Sequence, residues 1–218
     1  MLNSAKLEKQ TERQKAFFEK FKNLKNPRHI TFLGKKFVIY PNVFSPLEDT
    51  RILIKSMIIP KESNVLEIGA GSGAVSIFAA QKAKKVIAVD INPDAIKCAQ
   101  ENVRLHKINN IEVRLSDLFE NINEKFDIIL ANLPFRNLPT NDIIEKSMWD
   151  QDFSANERFF KEVSNYLKPK GIIYFVHANF GEIARVKELI KKYNFKIEKI
   201  YKSKKEWRIF FVYKLKKV

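Results

Sequence analysis

Asn64-Val65-Leu66-Glu67-Ile68 runs straight into Gly69-Ala70-Gly71-Ser72-Gly73, and Ala74 to Gln81 follows as an apolar stretch. The first five residues are rich in the aliphatic and β-branched types that favour a strand, and residues 74–81 read as a helix. Three glycines in five positions permit the backbone angles and close approach that a tight strand-to-helix turn demands. Such a turn leaves free N–H groups at a helix N-terminus, where a ligand can sit. Glycine spacing alone is weak support, but here it stands in the order strand, turn, helix.

Working outward, the chain keeps alternating. Lys85–Asp90 reads as a second strand, Pro93–His106 as a helix with proline in its first turn, and Ile111–Leu115 as a third strand. Phe126–Ala131, apolar but for Asp127, is a run bounded by polar residues, as a strand covered on both faces should be. Ala155–Leu167 reads as a helix stopped by Pro169 and Gly171, Ile172–His177 as a strand and Phe180–Tyr193 as a helix. Phe195–Lys202 and Trp207–Lys214 are closing strands joined by a turn short enough to force them antiparallel. The pattern predicts an α/β fold: a Rossmann-like, seven-stranded, mostly parallel sheet with the last strand antiparallel. Upstream, a short N-terminal helix is expected over Ser4–Leu24, with Leu7, Ala16, Phe17, Phe18, Phe21 and Leu24 on one side. A hairpin is expected around Gly34-Lys35, and a helix opened by Pro46 with Leu47, Ile52, Leu53, Ile54, Met57 and Ile58 as its apolar face. The chain thus divides into an extension, residues 1–45, and a main domain, residues 46–218. Residues 136–153 have no period and read as a loop or lid.

Length and composition bound the rest. A chain of 218 residues buries roughly 70% of its unfolded surface and needs no staple. Cys98 is the only cysteine, so no intramolecular disulfide forms, and no apolar run approaches the roughly 20 residues of a membrane span. A cytoplasmic protein, monomeric or weakly dimeric and without membrane contact, is expected. The net charge is +15. Residues 1–30 carry eight Lys/Arg against three Glu and residues 185–218 thirteen against three, so the ends hold much of the excess. Such a field attracts polyanions such as RNA, although lysine, which carries most of it, also decorates ordinary solvated faces.

The strand tips carry the chemistry. Asp90 ends the second strand, 21 residues after Gly69, where a carboxylate can accept from two ribose hydroxyls. Glu67 stands where a dinucleotide site would place a glycine; a carboxylate there repels a pyrophosphate and attracts a sulfonium or amino group. Asp117, in Ser116-Asp117-Leu118, is placed for an adenine amine. In Asn132-Leu133-Pro134-Phe135, the Asn132 amide oxygen and the carbonyl of Leu133 or Pro134 can both accept from an NH₂ and leave its lone pair facing a methyl donor. Phe135 offers a face for a planar group, and Pro134 keeps the carbonyls aimed. His29, His106, His177 and Cys98 show no metal-ligand spacing, so no metal is expected.

These residues resemble the class I S-adenosylmethionine-dependent methyltransferases. Within them the chain is similar to the small-domain type, which includes HemK-like glutamine methyltransferases and several rRNA and tRNA base methyltransferases. The likeness runs from about Phe37 to Gly181. Its markers are Val43-Phe44-Ser45-Pro46-Leu47-Glu48-Asp49-Thr50, Glu67 to Gly73, Ala88 to Asn92, Asp117 and Asn132 to Phe135. The resemblance implies a cofactor pocket for S-adenosylmethionine lined by Thr50, Glu67, Gly69, Ala70, Gly71, Gly73, Asp90, Ile91, Asp117, Leu118 and Asn132, with Asn132, Pro134 and Phe135 catalytic. Leu133 departs from the Pro-Pro usual in that group and matches the Asn-Leu-Pro-aromatic wording of rRNA adenine dimethyltransferases. Taken with the charge, the expected reaction is methyl transfer to an exocyclic amino nitrogen of an RNA base. The alternatives are a protein glutamine amide, of the release-factor or ribosomal-protein type, and a small molecule or peptide.

Overall fold

A computed structural model describes residues 11–13, 15, 16, 18, 19, 21, 22 and 24–218. Of the helix expected over Ser4–Leu24, residues 4–10, 14, 17, 20 and 23 lie outside the described residues; those described between 11 and 22 are helical. Phe18 and Phe21 are buried there, Phe21 stacking on Phe44 at 4.0 Å and Phe18 meeting Trp149 edge-on. The hairpin follows as β1 (Arg28–Phe32) and β2 (Lys35–Ile39), turning through Leu33 and Gly34 at φ 47° and 78°.

The main body runs α1 (Glu48–Ser56), β3 (Asn64–Ile68), α2 (Ala74–Ala79), β4 (Lys85–Asp90), α3 (Pro93–Leu105), β5 (Ile111–Leu115), β6 (Phe126–Ala131), α4 (Ser154–Glu162), β7 (Leu167–Ala178), α5 (Ile183–Lys192), β8 (Phe195–Lys205) and β9 (Arg208–Lys217). Seven strands form one sheet in the order β5-β4-β3-β6-β7-β9-β8. The pairs from β5 to β7 are parallel, and β9 runs antiparallel to both β7 and β8.

Strand periodicity splits the core between the two faces. Leu66 and Ile68 of β3 join Ile129, Phe159 and Phe160 on one side; Val65 joins Ile52, Leu53, Ile128 and Leu130 on the other. Glu67 therefore projects on the same side as Val65, beneath the start of α2. Three expectations shift. Helix α1 begins at Glu48, and Leu47 and Ile58, expected on its apolar face, lie outside it at 43% and 63% exposure. Pro169 and Gly171 do not end an element but sit inside β7, where the pairing with β6 shifts register, the tolerated place for both residue types. The 136–153 loop is pinned by a bridge between Arg136 and Trp149 and holds two short helical pieces, an α turn at Ile143–Lys146 and a 3-10 turn at Gln151–Phe153.

One buried side chain ties the hairpin to the glycine turn. Asn102 of α3 accepts from Val38 N–H at 2.8 Å, and its Nδ2 donates to the carbonyls of Val38 (2.7 Å) and Ser72 (3.0 Å). Nothing in the period of α3 marks it. Asn102→Ala leaves the Val38 N–H and the Ser72 carbonyl without that partner, while the Val38 carbonyl keeps Cys98 Sγ at 3.2 Å; at about 1 kcal/mol for each lost partner, the loss of stability in urea denaturation should be about 2 kcal/mol. A loss under about 1 kcal/mol would show that the tie carries little.

Candidate functional site

The loop after β3 is shaped by backbone bonds to its neighbour. Gly69 and Ala70 N–H both donate to the Val89 carbonyl at 2.9 Å, and Gly71 N–H donates to Asp90 Oδ2 at 2.9 Å. Gly69, Gly71 and Gly73 adopt φ of +80°, +52° and +76°, where a Cβ is penalised. The three have different surroundings. A Cβ on Gly69 would stand 3.3 Å from the Asn132 carbonyl, and one on Gly73 would stand 3.1 Å from Ala99 Cβ in α3. A Cβ on Gly71 would meet nothing within 4 Å. Gly71 thus borders open space, whereas Gly73, expected on the pocket wall, packs against a helix.

That open space belongs to a cavity of about 570 Å³ at the carboxyl ends of β3, β4, β5 and β6, within the usual size of a small-molecule site. Of the residues expected at the cofactor, Thr50, Glu67, Gly69, Ala70, Gly71, Asp90, Ile91, Asp117, Leu118 and Asn132 line it, as do Pro134 and Phe135. Asp90 accepts one backbone N–H on each oxygen, from Gly71 and from Asn92 (2.9 Å), and keeps lone pairs for two further donors. Asp117 is held by Arg158 at 2.9 Å, which leaves its Oδ1 for a donor. Leu118 takes a left-handed turn at φ +51°, closed by Ser116 Oγ donating to its carbonyl at 3.1 Å.

Glu67 differs from the expectation. Its Oε2 accepts from Ser76 N–H at 2.9 Å and from Ser76 Oγ, so the carboxyl satisfies the open N-terminus of α2 as well as lining the cavity. Burial pushes it up to about 8, and the charge of nearby Asp90 adds to the shift. Asp49 and Asp90 are raised as well, first by burial. Three carboxyl groups desolvated around one cavity form a place for a cation. With the space at Gly71, this donor set fits a nucleoside carrying sulfonium and ammonium charge and does not fit a pyrophosphate.

On the far side stands the Asn132 loop. Asn132 Nδ2 donates to Asp49 Oδ2 at 2.9 Å, across 83 residues of sequence. Spending Nδ2 on Asp49 fixes the plane of the amide, and Oδ1 takes no hydrogen bond among the described residues. Asp49 was not among the expected site residues; its signal was the Ser-Pro-Leu-Glu-Asp-Thr stretch, in which it looks like the acidic first turn of a helix. The Pro134 carbonyl already accepts from Asn156 Nδ2 at 3.0 Å, whereas the Leu133 carbonyl, the other one considered, accepts no hydrogen bond among the described residues. Leu133 itself is buried in the core under the sheet, which accounts for leucine at a position that proline could fill. Phe135 is held edge-on by His177 and Phe180 at 5.3 and 5.7 Å and still borders the cavity. His177 is fully buried, so it backs Phe135 and does not reach the cavity. Among the described residues no cluster of three or more His, Cys, Asp or Glu could hold a metal, and no helix is long and apolar enough to cross a membrane.

The family model and the curated relatives point to one family. The family described as Methyltransferase small domain matches residues 34–210. A Methanocaldococcus jannaschii protein with the provisional name protein N5-glutamine methyltransferase is 41% identical over 175 residues, covering 76% of this chain and 87% of its own. The release factor glutamine methyltransferase of Fusobacterium nucleatum is 33% identical over 79% of this chain, which spans about half (54%) of that relative. Among solved structures, TYW2 of Methanocaldococcus jannaschii in complex with AdoMet superposes with a TM-score of 0.61 at 20% identity, covering 90% of this chain and 89% of the other; that likeness shows the fold.

The buried carboxyls set a pH dependence. Between the ordinary carboxylate range and about 8, Glu67 holds a proton in the folded chain that the unfolded chain releases. Its contribution to stability is therefore full below about 4.5 and is lost as pH rises through about 8. Asp49 and Asp90 act in the same direction. Without cofactor, the midpoint of urea denaturation should fall from pH 6 to pH 8.5, and Glu67→Gln should flatten that slope. A midpoint that rises with pH in the wild type would contradict the burial of these groups.

Proposed function

The chain belongs to the methyltransferase small-domain family and is an S-adenosylmethionine-dependent methyltransferase, and from that premise we propose that it methylates the side-chain amide nitrogen of a glutamine in a protein. The observation that carries the reading is the clamped Asn132: an amide oriented by Asp49, with its oxygen left free beside the Leu133 carbonyl. An amide NH₂ offers two N–H donors in one plane, and two acceptors fix both. When bound, S-adenosylmethionine supplies a methyl carbon made electrophilic by its sulfonium. Asn132 and Leu133 orient the acceptor nitrogen so that its remaining face points at that carbon, which is catalysis by position rather than by a strong base. Asp90 takes the ribose hydroxyls, Asp117 and Leu118 border the adenine, and Glu67 favours the cationic end. Thr50, Gly69, Ala70 and Ile91 complete that wall, and Phe135 packs against the acceptor plane.

The sequence led with an RNA base, whose amino group makes the same two donations. The relatives favour the amide: two that match at 41% and 33% identity are named for glutamine methylation. The RNA reading keeps the positive charge of the chain in its support. Methyl-labelled S-adenosylmethionine, incubated with the enzyme and separated protein, RNA and small-molecule fractions of a cell extract, decides between them. Label in protein, recovered after proteolysis as N5-methylglutamine, is expected; label confined to RNA would overturn the reading.

Two substitutions separate the roles. Asn132→Ala should lower kcat by about 10²-fold, the scale of losing one oriented polar group at a reacting centre, with little change in the Kd of S-adenosylmethionine by calorimetry. Asp49→Ala frees the amide to rotate without removing its oxygen, so kcat should fall less, by roughly tenfold. A normal kcat in Asp49→Ala would show that Asn132 needs no clamp.

A further inference from the structure

Beyond the Asn132 loop the cavity wall turns basic. Arg136 follows Phe135 directly and Arg208 opens β9; both line the cavity. They share a support, the turn after β7. Arg136 Nη1 donates to the Phe180 carbonyl at 3.0 Å, while Asn179 fixes the residues flanking Arg208 by accepting from Ile209 N–H (2.8 Å) and donating to the Trp207 carbonyl (3.1 Å).

Both guanidinium groups are incompletely satisfied. Arg136 is only 7% exposed; its Nη2 reaches Thr11 Oγ1, but its Nε is buried without a partner. The Nε of Arg208 is buried and unpartnered too. Neither residue has an ion pair among the described residues, and Glu182 acts on Arg136 only through space. Of the acids that line the cavity, Asp150 is committed to Ala155, Asn156 and Ser154, Asp117 to Arg158, and Asp49 to Asn132. A buried cation without a counter-ion destabilises the fold unless a ligand supplies one. The two sides of the cavity are thus of opposite character, carboxyl around the glycine loop and guanidinium beyond Asn132.

We propose that Arg136 and Arg208 form an oxyanion subsite that takes the carboxylate of an acidic residue adjoining the modified glutamine. The proposal rests on the glutamine reading above. Guanidinium groups match a carboxylate through paired N–H donors. Trp149, Phe180 and Trp207 line the same cavity as the two arginines, an aromatic wall along which a slim carboxylate side chain fits more readily than a ribose-phosphate backbone. Specificity then has two parts: the Asn132 clamp reads the amide, and the subsite reads its neighbour.

The probes are blocked tetrapeptides in which glutamine adjoins either glutamate or a second, isosteric glutamine. The chain's only two tryptophans, Trp149 and Trp207, both line the cavity and report binding by fluorescence without cofactor. The glutamate peptide should bind at least tenfold more tightly at low salt, and Arg136→Gln or Arg208→Gln should erase the difference. If Arg136→Gln fails to fold, the half-buried Arg208 carries the test. Equal affinities in the wild type overturn the proposal, as does an oligoribonucleotide that binds more tightly with the same arginine dependence. A glutamate peptide that binds through the arginines but never acquires label upholds the subsite and overturns the glutamine reading.

Discussion

Strands β3 and β6 lie side by side and parallel, with Ile68 opposite Ala131. Everything at the site follows from that register. Two parallel neighbours end at the same level, so the glycine turn after Ile68 and the amide loop after Ala131 open into one crevice, and they stand close enough that a Cβ on Gly69 would press on the Asn132 carbonyl. The glycine turn and the amide loop are thus set by sheet hydrogen bonds, the most rigid part of the fold, and not by the loops themselves. Slipping the register by one residue would turn Glu67 and Leu130 to the opposite faces and dismantle both halves at once.

A cavity with carboxyls on one side and guanidinium groups on the other, held apart, cannot satisfy itself. The carboxyls of Asp49, Glu67 and Asp90 are desolvated and raised, and the guanidinium groups of Arg136 and Arg208 have no ion pair among the described residues. Separating the two sets keeps them from neutralising each other, and each stays poised for a ligand. Stability given up here is the common cost of an active site, and strongly shifted groups cluster there for the same reason.

The loop after Asn132 is stiffened from behind. Leu133 is anchored in the core, the Pro134 carbonyl is held by Asn156, and Phe135 rests against His177 and Phe180. Gly181 completes the support: a Cβ there would stand 2.3 Å from the Phe135 carbonyl. Leucine in place of a second proline thus trades backbone rigidity for burial, and the neighbours supply the restraint that the proline ring would have given.

The order of strands and helices, the strand-turn-helix at Gly69–Gly73 and the cluster of polar residues at strand ends were legible in the chain because periodicity and glycine geometry are local properties. The carboxylate at Asp90 was legible for the same reason, its distance from Gly69 being fixed by one strand and one helix. What the sequence left open were relations between distant segments. Asp49 looks like a helix start until folding brings it 2.9 Å from Asn132, and Glu67 looks free until α2 is laid over it. Nor could spacing show that the Pro134 carbonyl accepts from Asn156 or that two arginines 72 positions apart face one cavity. Those depend on which strands pair and how the helices close over them, and the energy that decides this is long-range burial rather than local preference.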